Sequence, residues 1–406
     1  MIPVEFTPEV IAAASADAFT PYRPFLASGE PYRSLIRHNP WLRPPAAGSE
    51  LEWGKGWYYD TTVARKHSYW REHPLPQATK DIAQLRRDFH RWGYCLVEDG
   101  VSPEQCARLH ARVVEQAAAE RALGIAHVSA AQQHVWSLVN KGEDFVRCME
   151  HDPVSVQSGP LLETLLDEWL GPGWQHLSFI SNISYPGCHP QGMHQDQSLI
   201  APYLPVEAPV LVNTVYILQD VDEVNGGTLL VPGSHRRSGE GDELFGQLPP
   251  AINLEAAAGT VLLMDGRVLH GGAVNRSERL RYIITNSVVK PWMRQQEAFL
   301  LTICPEVLEA ASPKFLMRVG YQATSGRSMV EGYGYTGNGA IGDPNGALVH
   351  VRRAMDRGEY RYVRALSRAD ADRKQPNQFT LAQLQRDHET HRGERFRAMV
   401  AGITAL

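Results

Sequence analysis

Long apolar runs are missing from these 406 residues. None approaches the roughly 18 residues that would read as a membrane helix, so no membrane span is expected. The opening Met-Ile-Pro-Val-Glu-Phe lacks a basic stretch followed by an apolar one, so no secretory leader is expected either. Cysteine is scarce. The five (Cys95, Cys106, Cys148, Cys188, Cys304) are odd in number, widely spaced and form no C-x-x-C pair. That argues against a disulfide framework and fits reduced thiols in the cytoplasm. No charge of one sign is in large excess: 40 basic against 45 acidic residues leave a net charge of -5. This argues against nucleic acid or an anionic membrane as the main partner. Internal repeats and low-complexity tracts are absent too. What remains is the composition of a cytoplasmic globular protein, an enzyme by size, acting on a small molecule.

Three regions are expected. Residues 1–80 form an arm rich in Pro, Trp and Tyr, with Trp41, Trp53, Trp57, Tyr58, Tyr59 and Trp70, packed on a core or walling an apolar pocket. Residues 81–300 carry clear periodicity. A helical pattern starts at Asp81, and Tyr94-Cys95-Leu96-Val97 reads as a strand. Ser102-Pro103-Glu104-Gln105 reads as the start of a helix running to about Ala122. A further helix fits Gly159 to Leu170, closed by Gly171. From about 176, short β-rich runs alternate with turn clusters: Leu177–Tyr185, Val210–Leu218, Thr228–Val231, Thr260–Met264 and Arg281–Val289. Many short strands between Gly, Pro and Asn suggest a barrel or sandwich. Residues 301–406 are expected to be a Gly-rich loop and a charged helical extension.

The chemistry concentrates in two segments. Gln191-Gly-Met-His-Gln-Asp contains His194 and Asp196, which in an extended segment point to one side. Asp265-Gly-Arg-Val-Leu-His supplies His270 at the end of an apolar strand. Two histidines and one carboxylate are the facial set that non-haem Fe(II) oxygenases use, leaving three of iron's six positions open. H-x-D alone is a weak signal. Eleven residues beyond His270, Arg281 opens a β run. On a strand antiparallel to that of His270, its guanidinium would lie near the metal and could grip a carboxylate with two parallel bonds. Arg279 shares the strand phase, and periodicity does not choose between them.

Five stretches taken in order resemble the phytanoyl-CoA dioxygenase family of iron and 2-oxoglutarate oxygenases. They are Phe89–Val97, the run from Val135 to Gly142, His194-Gln-Asp, the string Asn225-Gly-Gly-Thr-Leu-Leu-Val-Pro-Gly-Ser-His-Arg, and His270 to Arg281. The likeness covers about residues 81–290. It implies a mainly β fold with flanking helices, a double-stranded β-helix (jelly roll, cupin-like). It implies that His194, Asp196 and His270 bind Fe(II), that Arg281 binds the far carboxylate of 2-oxoglutarate, and that Asn182 and Thr228 contact this cosubstrate. With O2, such a site hydroxylates or otherwise oxidises an unactivated C–H bond of a small organic molecule. Related halogenases lack the carboxylate, so Asp196 points to hydroxylation. The aromatic arm suggests a partly apolar substrate of secondary metabolism, with a fatty-acyl or amino-acid substrate as the alternative. A cupin-type metal enzyme without 2-oxoglutarate would not need Arg281, and a non-catalytic binding protein would be free to lose the three ligands.

Other motifs carry less. Gly332-Tyr-Gly-Tyr-Thr-Gly337 fits a dinucleotide fingerprint but lacks the strand before and the helix within. His235 reads as a turn or surface residue, His189 as a loop histidine and Cys188 as a free loop thiol.

Overall fold

The computed structural model describes residues 72–321 and 365–369, apart from 124, 129–131, 187, 189–190, 192–193, 198–207, 237–250 and 274. The aromatic arm up to 71, His189, the Gly-rich loop beyond 321 and the C-terminal extension other than 365–369 therefore lie outside the described residues. No helix among those described is long and apolar enough to cross a membrane.

Helix α1 (Ile82–Trp92) begins where the Asp81 side chain accepts from the Ala83 N–H. It ends at Gly93, whose φ of 80° favours glycine and whose missing side chain leaves room for Val268 and His235. Strand β1 (Tyr94–Val97) follows directly. Helix α2 (Pro103–Ala122) opens on a reciprocal capping box between Ser102 and Gln105, as the Ser-Pro-Glu-Gln signature leads one to expect. Two short strands, β2 (His127–Val128) and β3 (Gln133–Val135), form a hairpin. Helices α3 (Glu143–Met149) and α4 (Gly159–Leu170) precede the strand-rich half.

That half contains β4 (Gln175–Ser184), β5 (Leu211–Ile217), β6 (Thr228–Leu230), β7 (Ile252–Asn253), β8 (Val261–Asp265), β9 (His270–Gly272) and β10 (Arg281–Val289). They form a large sheet ordered β1-β8-β5-β10-β4-β3-β2 and a small one ordered β7-β6-β9. A backbone bridge from His194 to His270 adds a fourth member beside β9. The chain thus passes from one sheet to the other at β4, His194, β5, β6–β7, β8, β9 and β10. The strand order is that of a double-stranded β-helix. Short helices α5 (Phe299–Thr302), α6 (Pro305–Glu309) and α7 (Pro313–Arg318) close the described part.

Period-2 alternation sorts each strand of the large sheet. In β10, Tyr282, Ile284 and Val288 pack with Val212 and Tyr216 of β5 in the core beneath the helices, where Phe89 and Leu162 also lie. The opposite face turns toward the small sheet, where Val215, Ile217 and Leu262 meet Leu230 and Ile252. Each such buried aliphatic side chain contributes about 1.5–3 kcal/mol relative to exposure. Arg281, Thr285 and Ser287 share this inward face, and there the packing gives way to a cavity.

The Asn225–Arg236 string has a physical reason at its glycines and at both Asn225 and Ser234. The Asn225 side chain closes a turn, accepting from Asp222 N–H and donating to the Asp220 carbonyl. Gly226 has φ of 80°, and a Cβ on Gly227 would come within 2.3 Å of the Leu254 carbonyl oxygen. Ser234 Oγ accepts from Leu269 N–H, next to His270, and Gly233 N–H donates to the Trp92 carbonyl. The string therefore ties the His270 segment to α1. Gly227→Ala is expected to lower unfolding stability by about 1–3 kcal/mol, since the clash is with backbone. A urea titration measures it.

Candidate active site and metal centre

His194 and His270 are joined through backbone. Each N–H donates to the other's carbonyl at 2.9 Å, and the ring centroids lie 4.5 Å apart. Asp196 reaches them differently from expectation. The chain does not stay extended past His194 but turns helical at Asp196. Gln197 N–H donates to the Gly266 carbonyl, and Gln195 Nε2 donates to that of Arg267, which pins the turn. The carboxylate ends between the imidazoles, with Oδ1 3.3 Å from His194 Nε2 and Oδ2 3.4 Å from His270 Nε2. One ligand atom from each of the three lies within 4.8 Å of the others.

The donor set calls for a cation. His270 Nδ1 sits 3.0 Å from the Val268 carbonyl, which can only accept, so Nδ1 carries a proton. In a neutral ring, Nε2 then turns a lone pair toward the Asp196 carboxylate. Two facing acceptors repel unless a positive ion lies between them. Burial alone would raise the Asp196 carboxyl; protonated, the two histidines would outweigh it and hold it well below the usual carboxylate range, so the cluster calls for positive charge whether protons or a metal supply it. Behind it, Asn213 Nδ2 donates to Oδ2 at 2.7 Å, and Ser287 Oγ donates to Asn213 Oδ1 at 2.6 Å. The carboxylate is thus oriented by a relay from the floor of the large sheet.

Arg281 lines the same cavity of about 260 Å³, as do Asn182 and Thr228. The expected strand antiparallel to that of His270 is not its partner. β9 pairs with β6, whereas β10 lies between β5 and β4 in the opposite sheet. Arg281 therefore faces the histidines across the sandwich. It is 2% exposed, and its Nη2 donates to Ser184 Oγ and to the Gly226 carbonyl, both at 2.7 Å. Its Nε and Nη1 have no hydrogen-bond partner among the described residues. Burial pulls the guanidinium down to about 10, so it stays charged at neutral pH. Arg279 precedes the strand and is exposed, which separates the two arginines. Asn182 Nδ2 is 3.3 Å from Thr285 Oγ1, and its Oδ1 is buried without a partner.

His235 is not a surface residue. It is buried in a short 3-10 turn, with Nε2 3.1 Å from the His90 carbonyl, and burial pulls it down to about 4. Cys188 is a free thiol, but a buried one. Residues that sequence reasoning did not single out also line the cavity: Asn213, Ser287, Ser178, Gln132, His134 and Gln296. For Asn213 and Ser287 a signal existed. Both are polar residues in the inward phase of otherwise apolar strands.

A family model described as Phytanoyl-CoA dioxygenase (PhyH) matches residues 89–283. Dioxygenase af480 of Aspergillus fumigatus is 31% identical over 152 residues, which cover 36% of this chain and 48% of that protein. Dioxygenase aneA of Aspergillus aculeatus is 31% identical over 144 residues, covering 34% and 48% respectively. The chain spans about half the length of these curated relatives. Among solved structures, AviO1 from Streptomyces viridochromogenes Tue57 is 18% identical with a TM-score of 0.41, covering 54% of this chain and 99% of that one.

Proposed function

From the premise that residues 89–283 belong to the phytanoyl-CoA dioxygenase family, we propose that this protein is an Fe(II)- and 2-oxoglutarate-dependent dioxygenase that oxidises a C–H bond of a small organic molecule. One observation carries the reading: three converging ligand atoms share a cavity with a buried arginine that has two unpaired nitrogens. His194, Asp196 and His270 hold the metal. Arg281, whose Nε and Nη1 are left unpaired, takes the far carboxylate of 2-oxoglutarate in a charge-assisted pair. Asn182 and Thr228 flank that cosubstrate. When bound, the iron couples decarboxylation of 2-oxoglutarate to activation of O2. The chain's own part is positional: Asn213 and Ser287 fix the Asp196 carboxylate, and the Gly226 carbonyl and Ser184 aim the guanidinium.

The direct test supplies Fe(II), 2-oxoglutarate and O2 and follows succinate. Fe(II)-dependent succinate release is expected. Metal binding without it would leave a metal enzyme of another kind, and no metal binding would sink the proposal. The relay has its own test. Asn213→Leu is expected to weaken Mn(II) binding about 10- to 100-fold, the range for a lost outer-shell partner. Ser287→Ala, one step further out, is expected to weaken it less. Isothermal titration calorimetry on the two variants checks the ranking.

A further inference from the structure

The β2–β3 hairpin sits at the edge of the large sheet and contributes Gln132, His134 and Trp136 to the cavity. Trp136 is 40% exposed. Its indole stacks on His134 at 5.0 Å and 19°, and His127 meets it edge-on at 5.6 Å and 69°. The two imidazoles brace the ring from the protein side and leave indole surface open at the cavity rim. Gln132 Nε2 lies 2.9 Å from His134 Nε2. An amide nitrogen donates, so this ring nitrogen accepts and the proton is on Nδ1. That Nδ1 is buried and has no partner. Burial, with a lesser contribution from His127, pulls the imidazole down to about 4, so it is neutral at physiological pH.

Charge narrows the occupant. Apart from the histidines, Asp196 and Arg281 are the charged side chains lining the cavity among the described residues. Metal and cosubstrate use both of these. A charged substrate group here would be left without a counter-ion, which is costly away from bulk water. Size narrows it as well. The cavity of about 260 Å³ is smaller than the roughly 300–1,000 Å³ of pockets that engulf a whole ligand. It holds the cosubstrate besides, so the reacting end of the substrate enters while its body rests at the rim, where Trp136 stands.

We propose that the β2–β3 hairpin is the substrate wall and that the substrate is an uncharged, oxygen-bearing ring compound, its ring lying on Trp136 and one of its oxygens accepting from His134 Nδ1–H. This rests on the 2-oxoglutarate reading above, and it disfavours free amino acids and acyl carboxylates.

The test uses the full chain with Mn(II) and 2-oxoglutarate, without O2, and measures binding by ligand-observed NMR. The probes are 7-methoxycoumarin, progesterone and podophyllotoxin, set against the charged coumarin-3-carboxylate, cholate and leucine. At least one uncharged probe is expected to bind, with every charged probe at least tenfold weaker. Trp136→Ala is expected to weaken the bound probe about five- to tenfold, the worth of an aromatic stacking contact. His134→Phe is expected to weaken it too, and His134→Gln, which keeps a donor, to restore part of the loss. Affinity for Mn(II) and 2-oxoglutarate is expected to stay unchanged in all three variants. The proposal is overturned if no uncharged probe binds, if charged probes bind as well, or if Trp136→Ala and His134→Phe bind like the parent. Failure of the parent protein to bind 2-oxoglutarate would instead defeat the reading beneath it.

Discussion

Asp196→Ala is expected to abolish Fe(II)-dependent succinate formation while leaving the fold intact. The carboxylate is the one anionic member of the cluster, and both of its oxygens face an imidazole nitrogen. Without it, two neutral rings remain and the positive charge of the metal goes uncompensated. The loss of metal affinity should exceed the roughly 100-fold upper end for an outer-shell partner. Stability gives an independent readout. At a metal concentration one hundred times the dissociation constant, the parent gains about 2.7 kcal/mol from binding, and the variant gains nothing. In the metal-free state the variant leaves the buried Asn213 Nδ2 without its acceptor, so a loss of about 1–3 kcal/mol is expected, and the Mn(II) increment is read against each protein's own metal-free baseline. Thermal denaturation with and without Mn(II) separates these effects. A variant still stabilised by Mn(II) like the parent would refute the assignment.

Arg281→Met is expected to weaken 2-oxoglutarate binding at least roughly 30-fold, with metal affinity nearly unchanged. Losing one partner of a buried, hydrogen-bonded charge pair costs about 2–5 kcal/mol, and 2 kcal/mol is about 30-fold in a dissociation constant. The same substitution should not destabilise the cosubstrate-free protein. A buried guanidinium with two unpaired nitrogens is costly to hold, and an apolar chain of similar length removes that cost. Affinity and stability thus move in different directions. Arg279→Ala, at an exposed position, should change neither. Equal losses from both arginines would mean that neither makes a specific contact.

Much of this was legible in the sequence, for identifiable reasons. Ser102-Pro-Glu-Gln gave the start of α2 because capping is local chemistry. The β-rich run Arg281–Val289 gave β10 end to end, because Tyr, Ile, Thr and Val favour a pleated, buried backbone. The identity of the three clustered residues could be read, but not how they meet. Asp196 arrives by a helical turn held from Gly266 and Arg267, contacts some 70 residues away in the chain. Arg281 arrives from the opposite sheet, because the sheet order interleaves distant strands. Strands β2, β3 and β7 were missed, and β9 was expected as the end of the apolar strand before it, whereas β8 ends at Asp265 and β9 starts anew at His270. Each of β2, β3, β7 and β9 is two or three residues long and owes its extension to a neighbour rather than to its own pattern.

The sheet order also divides the molecule by how freely it can change. Asn213, Ser287 and Arg281 sit on β5 and β10, each flanked by strands on both sides, where a shift in register would disturb several neighbours at once. Trp136 and His134 stand on a terminal hairpin that, among the described residues, joins the sheet through β3 on β4. Replacements there meet the seam with β4 and the bonds of Gln133 to Arg121 and Ala117 of α2, with no further strand outside β2 among the described residues. A lineage built on this scaffold can therefore explore new substrates at its margin while its oxidative chemistry stays fixed at the centre.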